Sequence, residues 1–104
     1  MTNNNEMNVT DTLTNDYVFL NGADSTVTDA VLSATKIENN NAFTNYGTTN
    51  AGIVNNNAGG TMTNNNAMNV TDTLTNSYVF LNDATGVLTA TKINIFKNFI
   101  IITQ

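Results

Sequence analysis

Apolar residues recur at every sixth position early in the chain, at Met1, Met7, Leu13 and Phe19. Met62, Met68, Leu74 and Phe80 repeat that spacing further on. A step of six is not helical, because a helix returns apolar residues at steps of three and four. The intervening positions are largely Thr, Asn and Asp, which serve poorly in a helix interior and favour strands or turns. Triplets such as Thr12-Leu13-Thr14, Thr61-Met62-Thr63, Thr73-Leu74-Thr75 and Thr89-Ala90-Thr91 alternate as short extended segments do, one side chain inward and two outward. Runs of asparagine at 3–5, 39–41, 55–57 and 64–66 stand between such segments. Asn tolerates left-handed backbone and bonds locally, so these runs read as corners.

The sixfold spacing sits inside a larger repeat. Residues 1–21 return as 62–82, offset by 61, with only Glu6/Ala67 and Asp16/Ser77 different. Short strand, corner, short strand, corner predicts an all-β chain wound as a parallel β-helix, or β-solenoid, its coils stacked at roughly 4.8 Å. A coil of about 20 residues puts three coils in each repeat and about five in the chain. The core predicted from the spacing is Met1, Met7, Leu13, Phe19, Val54, Met62, Met68, Leu74, Phe80 and Ile93. Phe19 and Phe80 are expected to fill it, with Tyr17 and Tyr78 on the same face at its edge. Asn side chains stacked at the corners are expected to form amide ladders.

Beyond residue 21 the copies differ in length. Residues 21–37 align with 82–93, and the five residues lost are of the kind found in a surface loop. The solenoid is therefore set at 1–93, with repeat copies at 1–37 and 62–93 and intervening coils at 38–61. Residues 94–104 break the style, crowding two Phe and four Ile together, and read either as a strand capping the final coil or as a non-native tail. The chain starts on one copy and runs out after the second, so it is expected to be a piece of a longer array.

Composition then removes whole classes of function. Of 104 residues, 22 are Asn and 19 are Thr, while Pro, Cys, His, Trp and Arg are absent. Three Lys against eight acids give a net charge of −5, which is no footprint for nucleic acid. Without His or Cys there is no ordinary zinc or iron ligand set and no Ser–His or Cys–His nucleophile. The apolar run 93–102 is too short to span a membrane and is interrupted by Asn94, Lys97 and Asn98. Glu6, Asp11, Asp16, Asp24, Asp29, Glu38, Asp72 and Asp83 offer no pair singled out for acid–base work, so they read as solvated turn acids. No catalytic, cofactor-binding or metal-binding residue is assigned, and the chain is expected not to be an enzyme.

Three patterns are open to a sharper reading. Outward Thr-x-Thr arrays on a solenoid could match an ice lattice, although the triplets are unevenly spaced. Asn8-Val9-Thr10 and Asn69-Val70-Thr71 are acceptor sequons for N-glycosylation, equivalent through the repeat. An Asn-rich chain could also be a self-assembling, fibre-forming segment, although disorder needs no periodicity.

The stretch NNNAGGTMTNNNAMNVTDTLTNSYVFLNDATGVLTATKI resembles the Asn/Thr-rich passenger repeats of autotransporter and filamentous-haemagglutinin-like adhesins of Gram-negative bacteria. Residues 37–93 carry most of the resemblance, and 1–37 repeat part of it. Gly is scarcer here than in that family, at six in all. The resemblance implies a right-handed parallel β-helix exported to the cell surface, with a role in adhesion or aggregation. The partners it implies are host or neighbouring cell surfaces, glycan or protein. No export signal lies in this stretch, and no membrane insertion is expected of it. Open strand edges and the apolar C-terminal run lead to the further expectation of self-association end to end.

Overall fold

The structure, a computed structural model, describes residues 1–102. Among them there is no helix. Eleven strands follow in chain order: β1 Thr2–Asn3, β2 Glu6–Asn15, β3 Val18–Asn21, β4 Val31–Asn39, β5 Ala42–Asn45, β6 Thr48–Asn56, β7 Thr61–Asn64, β8 Ala67–Asn76, β9 Val79–Asn82, β10 Val87–Ile95 and β11 Asn98–Ile101. Odd-numbered strands are short and form one parallel sheet, in the order β1-β3-β5-β7-β9-β11. Even-numbered strands are long and form the other, β2-β4-β6-β8-β10. One short and one long strand make a coil. Coils 1 to 5 begin at β1, β3, β5, β7 and β9, and β11 starts another. The chain is a parallel β-solenoid of about five turns.

Strand register explains the sixfold spacing. Met62, Met68, Leu74 and Phe80 all point inward and are fully buried. The steps from Met62 to Met68 and from Leu74 to Phe80 each cross a corner that keeps the inward parity. The step from Met68 to Leu74 crosses a bulge in β8. There, register slips between Ala51/Ile53 on β6 and Val70/Thr73 on β8, and again between Ala90/Lys92 on β10 and the same residues of β8. β2 carries the equivalent slip between Val9 and Thr12. The extra residue falls in the Thr10-Asp11 and Thr71-Asp72 pairs, so the acid that recurs in both copies marks the bulge of coils 1 and 4.

Six rows of inward side chains run along the axis. One holds Phe19, Phe43, Met62, Phe80 and Phe99. Phe19 stacks on Phe43 at 5.2 Å between ring centroids, and Phe80 on Phe99 at 4.9 Å. A second holds Met7, Leu32, Thr49, Met68 and Leu88, and a third Val9, Ala34, Ala51, Val70 and Ala90. A fourth holds Leu13, Ile37, Val54, Leu74 and Ile93. Spacing alone missed the buried Leu32, Ile37 and Phe43, because coils 2 and 3 do not carry the Met/Leu pattern of coils 1 and 4, and it missed the buried Val70 of coil 4, which falls between two six-residue steps.

The last two rows are amide ladders. Asn3, Asn21, Asn45, Asn64 and Asn82 form one, each Nδ2 donating to the next Oδ1 at 2.8–2.9 Å. Asn15, Asn39, Asn56 and Asn76 form the other, at 2.8 Å throughout. The first ladder steps by 18, 24, 19 and 18 residues, and the first three of these steps span the 61-residue repeat from Asn3 to Asn64. Each amide also donates to backbone carbonyls at its corner, as Asn56 does to Gly60 and Val79. No buried side-chain nitrogen or oxygen among the described residues lacks a partner.

Four expectations change against this frame. Met1 is 71% exposed and Ile93 39%, although both align with apolar rows, since each lies in an end coil covered on one side only. Tyr17 is 80% exposed and Tyr78 half-buried, because the chain turns just before β3 and β9 and the strand alternation does not reach them. No non-glycine residue among those described has positive φ, so the asparagine runs do not turn the chain through left-handed backbone. In each run one Asn joins a ladder, and this amide bonding is what asparagine supplies. Positive φ is confined to Gly22 and Gly59, in two of the three corners longer than two residues.

The corner between β3 and β4 takes up residues 22–30, against 83–86 at the equivalent corner between β9 and β10. The length difference between the copies therefore sits outside the stack, where backbone can loop into solvent without disturbing register.

Candidate functional site

With the interior filled by side chains, chemistry is left to the outer faces. On the long-strand sheet, beside the bulges of β2 and β8, lies an open groove of about 380 Å³. Asn8, Thr10, Thr35, Ala51, Gly52 and Thr71 are among its walls, and no lining residue titrates. Gly52 allows the neighbouring coil to approach here, since a Cβ there would come within 2.8 Å of the Thr35 carbonyl oxygen. Thr35 Oγ1 donates to the Thr10 carbonyl and Thr91 Oγ1 to the Thr71 carbonyl, which ties the bulge between coils. Both sequon asparagines, Asn8 and Asn69, are exposed on this face in one register row.

The acids do not converge. Asp11 and Asp72 each accept a bond from the adjacent threonine hydroxyl at the bulge, Asp16 accepts from Asn40, and Asp24 closes a local turn. In that turn the Thr26 hydroxyl and backbone amide hold the Asp24 carboxyl below its ordinary value. Among the described residues no group of three or more Asp or Glu could hold a metal ion. Nor is any helix among them long and apolar enough to cross a membrane.

Glu38 has the most structured surroundings. Burial pushes its pKa up, but bonds from Lys36, Asn57 and Asn55 outweigh that and hold the carboxyl below the usual glutamate value. Lys36 Nζ lies 2.7 Å from Oε1, and Asn57 Nδ2 2.9 Å from Oε2. The shift is downward, so the carboxylate's contribution is complete above the unfolded pKa of about 4.3. That contribution disappears as pH falls through the lower folded value. Glu38→Gln is therefore expected to lose less stability than wild type between about pH 5 and pH 3. The difference should stay within about 1 kcal/mol, given how solvated the pair is. Urea unfolding across that range measures it, and parallel pH profiles would refute the role.

The Thr-x-Thr triplets do not line up as one array. Thr12 and Thr14 share register rows with Thr73 and Thr75, but Lys36/Glu38 and Ile53/Asn55 lie between them. The outer face of the short-strand sheet is more uniform. One of its rows runs Val18, Ala42, Thr61, Val79 and Asn98. The other runs Leu20, Thr44, Thr63, Leu81 and Ile100. Neither row contains a charge, on a chain whose net charge is −5. Only the triplet 61–63 contributed to a forecast of this face, because its other members come from strands that carry no triplet.

No family model, no curated protein and no solved structure matches the chain.

Proposed function

We propose that the chain is a non-enzymatic structural and adhesive segment of an exported bacterial surface protein. The observation that carries this reading is the continuity of the interior. Two buried amide ladders and four rows that are apolar save for Thr49 run along the stack, so the coil section is filled. A filled, fully bonded stack resists bending and leaves its long lateral faces free for contact. The adhesive face in this reading is the uncharged outer face of the short-strand sheet, which can approach a partner without desolvating a charge. Beads coated with the chain are expected to adhere to bacterial or epithelial cells above an albumin-coated control. Leu81→Lys or Thr63→Lys should reduce that adhesion several-fold, and Thr73→Lys on the other sheet should not. Adhesion no greater than albumin's would overturn the proposal.

The same uncharged face favours one second reading, recognition of an ice surface by a regular β-sheet. Thermal hysteresis in a freezing assay, lost in Thr63→Lys, would support it over cell adhesion.

A further inference from the structure

The two ends of the stack differ in chemistry. On the side of coil 1 away from coil 2, the inward rows present Met1, Asn3, Met7, Val9, Leu13 and Asn15. At the other end, β10 and β11 present Leu88, Ala90, Ile93, Ile95, Phe99 and Ile101. Both ladder positions there are isoleucine: Ile95 in register with Asn76, and Ile101 with Asn82. Among the described residues nothing packs beyond β10 and β11, and Ile95 and Ile101 are 55% and 57% exposed. Charge follows the same division. Glu6, Asp11 and Asp16 lie in or just after coil 1, whereas residues 84–102 contain Lys92 and Lys97 and no carboxylate.

We propose that the face formed by β10 and β11 is an interface for a second copy of the chain, docked tail to tail about a two-fold axis.

Three arrangements of two copies can be compared. Head to head sets Glu6, Asp11 and Asp16 against themselves, and like charges repel. Head to tail brings those acids towards the lysines, which is attractive, but it seats Asn3 on Ile101 and Asn15 on Ile95. Within the chain a ladder oxygen takes its bond from the amide of the preceding coil, as Asn76 does from Asn56. Isoleucine offers no donor, so the Asn15 Oδ1 would be buried unpartnered. An orphaned buried acceptor costs more than a solvated charge pair returns. Tail to tail sets apolar rows on apolar rows, leaves no ladder amide unpaired and keeps every Asp and Glu side chain away from the contact. It is also the end of an acidic chain at which two copies meet without setting Asp or Glu side chains against one another. Lys92 and Lys97 are exposed, and Lys97 Nζ rests 4.8 Å from the centre of the Tyr78 ring, so neither is desolvated at the centre of the face.

This arrangement is isologous and closes at two copies, whereas head-to-tail stacking would extend into a fibre. Each dimer would also display every lateral face twice, so its contact with a surface becomes bivalent.

Sedimentation velocity of the full 104-residue chain, over a range of concentration and salt, tests the proposal. The expected result is a reversible monomer–dimer equilibrium with no larger species, unchanged or tightened as salt rises. Ile95→Asn/Ile101→Asn should weaken the dimer at least ~10-fold while the β circular-dichroism spectrum is kept. Ile101→Lys, a single change at an exposed position, should do the same if the double variant fails to fold. A chain that stays monomeric throughout, or assemblies that grow past two copies, would overturn the inference. So would a dimer that dissolves with added salt, or one that folded variants leave unchanged.

Discussion

Asn56→Asp is expected to unfold the chain at neutral pH. Asn56 is wholly buried, and its Nδ2 donates to Gly60 O, Asn76 Oδ1 and Val79 O at 2.7–2.8 Å. Aspartate has nearly the same shape but places a carboxylate oxygen where that donor was. Three acceptors would then face an anion with no cation near. The cost is several kcal/mol, against a total stability of about 5–15 kcal/mol for a small domain. Protonating the new carboxyl restores one donor, so its folded pKa is raised. For an acid with a raised pKa the neutral form is the tolerated one. Stability of the variant should therefore fall as pH rises from acid to neutral. Circular dichroism and urea unfolding across that range check both the size and the direction. A variant as stable as wild type at pH 7 would mean the ladders contribute nothing to the fold.

Leu74→Asp is the second large expected effect. Leu74 lies between Val54 and Ile93 in its row and has no solvent exposure. A carboxylate there has no hydrogen-bond donor in its row and no route to water, again costing several kcal/mol. Asn65→Asp is the matched control. Asn65 occupies the turn after β7 and belongs to neither ladder, and its backbone amide, which survives the change, bonds Asn45 O. Its effect should stay within about 0.5 kcal/mol. Thermal unfolding of both variants compares them directly. Similar melting temperatures would show that the sixfold apolar spacing is not a core.

These two substitutions separate what the sequence conveyed from what it hid. Leu74, Met62, Met68 and Phe80 were legible because apolar residues among Thr and Asn have few places to go in an extended chain. Their repetition at a distance of 61 residues, divided into coils of the roughly 20 residues usual for a β-helix, led to the fold class and to the count of about five turns. The candidate faces were far less legible. Val18, Thr44, Thr63 and Leu81 are distant in sequence and share no motif. They form one uncharged strip only because stacking brings strands about 4.8 Å apart into register.

Asparagine shows the division most clearly. By itself the sequence determined that Asn would sit at corners and that amides could stack there. It could not say which member of Asn39-Asn40-Asn41 enters the ladder, since that depends on where each strand ends against its neighbour. Nor could it show that Asn15, Asn21, Asn45, Asn76 and Asn82, none of them within such a run, complete the two stacks. Local preference pointed to left-handed turns, and the structure uses none at asparagine. The deciding reason is tertiary. A buried amide costs free energy unless both its donor and its acceptor are met, and local corner carbonyls take only part of the donor capacity, so the amide-to-amide bonds come from the coils before and after, 17 to 24 residues away along the chain. Met1, Ile93, Ile95 and Ile101 illustrate the same point from the ends. Their apolar character is plain in the sequence, but burial requires a coil on each side, which no local pattern records.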